Sequence, residues 1–244
     1  MQNHRRDFLK TAAFGGVAIA GAGSAALAAA PDVPPGTGMV PPAPPGMTPD
    51  QALALLEQGN AAFLRGDNRA DLSNAQRRLE LAKGQSPFAA YVTCSDSRVP
   101  PELLFGRGLG ELFIIRNAGN TVDTVALGSI EYAVAVLKVP LVVVMGHERC
   151  GAVEAATKVV TENATYPGQI GRMIEPIIPA VLKVRDDDGD LLDNSVRSNV
   201  RRVAGYLREQ TDPLLQQPLA TGALKVIGAY YDLDTGKVDF FDRA

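Results

Sequence analysis

Apolar positions along this chain follow two periods. Between Thr48 and about Gly66, Leu53, Leu55, Leu56, Ala61 and Phe63 recur at helical spacing. Thr48-Pro49-Asp50 supplies the cap and first-turn proline of that helix. A second, more polar helix is predicted over residues 73–83. Three short apolar runs rich in strand formers follow, at 88–93, 111–116 and 141–145. Between the last two lies a helical pattern over 122–137, with Val125, Ile130, Ala133, Val134 and Leu137 on one side. Further helices are predicted over 151–160, 170–184 and 194–209. Residues 224–231 and 237–241 read as a hairpin turning at Asp234-Thr235-Gly236.

Strands alternating with helices predict an α/β fold, a mostly parallel central sheet flanked by helices. The unbroken run Leu141-Val142-Val143-Val144-Met145 suits a strand buried on both faces. In such sheets, sites form where loops leave the carboxyl ends of strands.

The chain ends differ in composition. Residues 1–30 begin with the basic stretch His4-Arg5-Arg6-Asp7-Phe8-Leu9-Lys10, continue uncharged and rich in Ala and Gly, and close on small residues. This reads as an export signal, and the paired arginines resemble the twin-arginine type, which implies a periplasmic protein. Residues 31–47, dense in proline, read as an extended linker. Residues 48–244 form the remaining domain. A net charge of −3 with 21% charged residues gives no reason to expect nucleic acid as partner, and no stable membrane span is expected in the mature form.

Two clusters fall at predicted strand ends. Cys94-Ser95-Asp96-Ser97-Arg98 follows the first strand; residues two apart in an extended segment point the same way, so Cys94, Asp96 and Arg98 can address one site. Gly146-His147-Glu148-Arg149-Cys150-Gly151 follows the third. The chain holds only two cysteines and, once residues 1–30 are removed, only one histidine. Cys94, His147 and Cys150 are three zinc-type ligands, the number of a catalytic site with a fourth position open. A disulfide between the cysteines, or a redox role for them, is the alternative; no Cys-x-x-Cys spacing supports the latter.

Cys-Ser-Asp-Ser-Arg followed some fifty residues later by Gly-His-x-x-Cys-Gly resembles the β-class carbonic anhydrases. The similarity runs from about Thr48 to Phe241 and includes Gly84-Gln85-Ser86-Pro87, Arg116-Asn117-Ala118-Gly119-Asn120 and Ile130-Glu131-Tyr132-Ala133. The resemblance implies one zinc ion per chain on Cys94, His147 and Cys150. It implies reversible hydration of carbon dioxide to bicarbonate and a proton by hydroxide carried on that zinc. Asp96 would orient the hydroxide, and Arg98 would hold Asp96 off the metal. Gln85, Phe113, Ala118, Tyr132 and Gly151 match the family's substrate-pocket positions. The expected assembly is a homodimer or a higher homo-oligomer built from it. Glu148-Arg149 replaces smaller residues of plant members and reads as solvated surface. Two rival functions share the scaffold: hydrolysis of carbonyl sulfide or carbon disulfide, and zinc binding without catalysis. Finally, a lone histidine spent on zinc leaves no imidazole to carry the proton away.

Overall fold

The computed structural model describes residues 46–67 and 73–243. The expected export signal and nearly all of the expected linker, up to residue 45, lie outside the described residues. What is described falls within one compact unit, Gly36–Ala244. Among the described residues no helix is long and apolar enough to cross a membrane.

Helix α1 (Pro49–Leu64) starts as the sequence predicts. Thr48 accepts from the Gln51 amide, and the Gln51 side chain accepts from the Thr48 amide, closing a capping box. Helix α2 (Ala75–Leu81), capped by Asn74, is shorter than the expected 73–83. The sheet is then built from β1 (Ala89–Thr93), β2 (Leu112–Arg116), β3 (Leu141–His147), β4 (Lys225–Tyr231) and β5 (Val238–Asp242), in the order β2-β1-β3-β4-β5. All neighbours are parallel except the closing β4–β5 hairpin. The connecting helices are α3 (Pro101–Leu104), α4 (Thr124–Ala135), α5 (Gly151–Glu162), α6 (Gln169–Ile174), α7 (Ile178–Val184), α8 (Leu191–Arg208) and α9 (Pro213–Ala220).

Strand alternation sorts the core into two faces. Ala89, Tyr91, Leu141, Val143, Met145, Ile227 and Ala229 pack with α1 and α3. Ala90, Val92, Val142, Val144 and Val226 pack with α4, α8 and α9. Every residue of β3 is buried, which accounts for its continuous apolar run. The chain leaves β1 to build β2 on one side, then crosses back to build β3 on the other. The order therefore reverses between β1 and β3, and the crevice at their carboxyl ends is the topological switch point. Helix α8 lies close against this region. A side chain at Gly146 would meet Val196 at 2.7 Å and Val200 at 2.8 Å, so residue 146 must be glycine for α8 to pack there.

One expected helix is broken. Residues 170–184 form α6, a 3-10 turn (Glu175–Ile177) and α7, because Pro176 and Pro179 each lack the amide a continuous helix needs.

Candidate metal centre

β1 ends directly on Cys94, and β3 ends on His147, with which the switch-point crevice acquires its chemistry. The step from strand β3 to helix α5 takes three residues, Glu148 to Cys150. Arg149 adopts a left-handed conformation (φ +52°), which turns the chain sharply enough for Cys150 to cap α5. Cys94, His147 and Cys150 are buried, and their Sγ, imidazole N and Sγ atoms all lie within 4.8 Å of one another. This is the one such group of His, Cys, Asp and Glu among the described residues.

The local geometry fits a zinc ion. His147 Nδ1 lies 2.9 Å from the Glu148 carbonyl oxygen. A bond there places the proton on Nδ1 and leaves Nε2 with its lone pair free. Nε2 is buried and has no hydrogen-bond partner among the described residues, a cost that a metal ligand role removes. The two sulfurs are 3.9 Å apart, both free, at a separation well beyond a disulfide bond. Pairing with Cys150 brings the Cys94 thiol down to about 4, helped by His147 and by the Gly119 amide, against the opposing effect of burial. The same pairing, with burial, pushes the Cys150 thiol up. The two thiols are thus coupled through their 3.9 Å contact, and a bound dication would displace the proton held there.

Asp96 stands beside the cluster without belonging to it. Its Oδ2 is 3.9 Å from His147 Nε2. Arg98 donates from Nε to Oδ1 at 2.9 Å and from its terminal nitrogen to Oδ2 at 2.7 Å, and the Arg98 amide adds a third bond to Oδ1. Chiefly through the guanidinium bonds, the Asp96 carboxyl is held well below the usual carboxylate range. The segment does not stay extended: the Val99 amide bonds the Asp96 carbonyl, and the loop folds so that Arg98 grips Asp96 from the solvent side.

Other residues build this centre that the sequence reading did not assign to it. Arg116, at the end of β2, donates to the carbonyls of Cys94 (2.9 Å) and Asp96 (2.6 Å), stapling the ligand loop. Glu148 and Arg149 are only half the solvated pair expected. Arg149 is half exposed, yet it forms a two-point bond with Asp234 in the β4–β5 turn. Glu148 accepts from the Leu233 amide at 3.0 Å. The pair clamps the short ligand turn to the hairpin. These contacts span more than eighty residues, and nothing local in the sequence announces them.

The substrate-pocket positions divide. Ala118 precedes Gly119, whose amide meets Cys94 Sγ at 3.4 Å, and Gly151 follows Cys150; both lie beside the ligands. Gln85, Phe113 and Tyr132 do not. Gln85 is exposed and precedes β1 at its amino end, whereas Cys94 leaves the carboxyl end. Phe113 pairs in register with Ala90, four residues or about 13 Å along the strand from Cys94. Its ring lies 6.2 Å from that of Tyr132, which is 47% exposed.

An α/β domain with a buried imidazole and two thiols at its switch point is the scaffold of a zinc enzyme with an open coordination position. A family model described as carbonic anhydrase matches residues 89–238. Carbonic anhydrase 2 of Mycobacterium tuberculosis is 37% identical over 199 residues, which cover 82% of this chain and 96% of that protein. The carbonic anhydrase of Mycolicibacterium smegmatis is 37% identical over 195 residues, covering 80% and 94%. Among solved structures, a tetrameric β-carbonic anhydrase of Sordaria macrospora superposes with a TM-score of 0.62 at 26% identity, covering 75% of this chain and 93% of that one. A Coccomyxa β-carbonic anhydrase in complex with acetazolamide gives a TM-score of 0.59 at 27% identity, covering 78% and 86%. The chain belongs to the carbonic anhydrase family, in its β class.

Proposed function

We infer that this chain is a carbonic anhydrase that interconverts carbon dioxide with bicarbonate and a proton, using one zinc ion on Cys94, His147 and Cys150. The observation that carries the reading is the buried Cys94–His147–Cys150 cluster at the switch point of a chain in this family. Zinc there supplies the Lewis acidity that makes water a source of hydroxide near neutral pH.

The remaining roles belong to the chain's own side chains. Asp96, ionised and accepting only, takes a hydrogen bond from the attacking oxygen and turns its lone pair toward carbon dioxide. Arg98 occupies both Asp96 oxygens and so holds the carboxylate beside the metal position instead of on it. Ala118 and Gly151, uncharged and next to the ligand segments, are suited to line the approach of an uncharged gas. The proton released must leave through water, buffer or a carboxylate, since His4 lies in the segment proposed for removal and His147 is a ligand.

Gln85, Phe113 and Tyr132 act, in this reading, in a second copy's site. Support comes from β2, whose outer edge is unpaired among the described residues and whose residues Leu112, Phe113, Ile114 and Ile115 are only half buried. Nearby, Val125 on α4 and Val136 at its carboxyl end are exposed at 78% and 58%. An apolar sheet edge of this kind needs a cover. A two-fold dimer through β2 sets the amino end of one protomer against its partner's carboxyl end. Export to the periplasm by the twin-arginine route belongs to the same proposal and rests on the composition of residues 1–30.

Stopped-flow hydration of carbon dioxide on zinc-analysed protein tests the reading, with Cys150→Ser and Asp96→Asn alongside. Cys150→Ser should lose its zinc and at least about 10³-fold in rate. Asp96→Asn should keep its zinc and lose about 10²-fold or more. A fully zinc-loaded chain with no hydration between pH 7 and 9 would refute it.

A further inference from the structure

We propose that Asn199, on α8, is a positioning residue for the zinc site: it fixes Gly119 so that the Gly119 amide stays on the Cys94 sulfur. The proposal rests on the reading of Cys94, His147 and Cys150 as zinc ligands.

Asn199 is fully buried on the face of α8 that also carries Val196, Val200 and Val203. Burying a carboxamide there is costly unless its bonds are made. Its Nδ2 makes one bond, 2.9 Å to the Gly119 carbonyl, and its Oδ1 has no partner among the described residues. That single bond goes to the residue that contacts a ligand, because the Gly119 amide donates to Cys94 Sγ at 3.4 Å. The two bonds lie on the two peptide planes that flank the Gly119 Cα, so the bond to the carbonyl holds one plane and, with φ and ψ of Gly119 restricted, helps to hold the N–H on the other. The remaining freedom of this residue is removed by packing. Gly119 has φ +80°, and a side chain there would meet Ile177 at 2.5 Å and Ala152 at 3.2 Å. The same loop is tied to the ligand segment, with Asn117 N bonding Thr93 O and Ser95 N bonding Asn117 O.

An amide hydrogen bond withdraws electron density from a thiolate. It thereby tunes both the hold on the metal and the charge the sulfur passes to it, the usual office of groups that support metal ligands. A buried amide kept for stability alone would be better replaced by an apolar side chain of its size, which makes the two roles separable.

The test uses Asn199→Leu, close in size and without polar atoms, and Asn199→Asp, which in its ionised form presents no donor to Gly119. Zinc dissociation constants are measured by chelator competition on both and on the unaltered chain. The sulfur-to-cobalt charge-transfer band of the cobalt-substituted proteins and the melting temperature of the zinc-stripped proteins are recorded as well. Expected are a zinc affinity weaker by about 10-fold or more, a charge-transfer band shifted to lower energy, and a zinc-stripped Asn199→Leu melting no lower than the unaltered chain. Unchanged zinc affinity and an unchanged cobalt band in whichever variant folds would overturn the proposal. Should the unaltered chain itself fail to bind zinc, the ligand reading fails, and that outcome is visible separately.

Discussion

The two ends of strand β1 are built to opposite standards. At the carboxyl end, Cys94, His147 and Cys150 are buried and wrapped by Arg116, Arg98 and the Gly119 loop. At the amino end, Gln85 is in solvent and Tyr132 is 47% exposed, beside a sheet edge with no strand partner among the described residues. A metal centre must hold its ligands rigid before its substrate arrives, and here one chain supplies all three candidate ligands. A pocket wall can come from another copy, and the half-buried apolar edge of β2 is where such a copy would dock in the dimer proposed above.

The sharpest way to break this contrast is to damage one end in each of two chains. Gln85→Ala and Cys150→Ser should each be poorly active alone. Refolded or co-expressed together, they should regain on the order of a quarter of the original hydration rate, because half the dimers are mixed and each of those has one intact site. No recovery in a verified mixed dimer would mean that Gln85 serves its own chain or none.

A smaller effect concerns the proton. With His147 the one histidine outside residues 1–30, the rate at saturating carbon dioxide should climb several-fold as buffer rises from low to high concentration. A rate indifferent to buffer would point to an internal carrier. The smallest effect probes the exposed side of the ligand end. The Asp96 carboxyl is depressed by Arg98, so its pairing adds stability above the ordinary carboxylate pKa near 3.9, and that contribution is lost as pH falls toward the folded value. Because Arg98 is half in solvent, Arg98→Gln should lower the melting temperature by at most about 2 °C at pH 7. The difference should narrow through pH 3; a gap that widens on acidification would reverse the sign argued here.

Local patterns in the sequence carried most of the fold. The run from Leu141 to Met145 could only be a strand buried on both faces, and Thr48-Pro49-Asp50 could only begin a helix. The ligands were equally legible, since so few cysteines and histidines leave little choice. What stayed hidden were contacts made across the fold. Pro218 inside α9 disguised that helix, and α3 is too short to show a period. Arg116, Asp234 and Asn199 act on backbone or side chains brought near by folding, and their residue types are commonplace at surfaces and helix faces. Gln85 and Tyr132 matched a family pattern in the linear sequence, while the spatial arrangement sets them at the far end of β1 from the ligands.

Cys94 and His147 sit some fifty residues apart, on adjacent strands. An ion shared between them closes a loop of that length in the folded chain, but unlike a covalent staple it is released when the chain unfolds. Mass action then ties the folding equilibrium to free zinc, with stability rising as the logarithm of its concentration above the dissociation constant. Zinc starvation would expose this protein to unfolding and proteolysis as well as silence it, so its abundance should follow the metal supply.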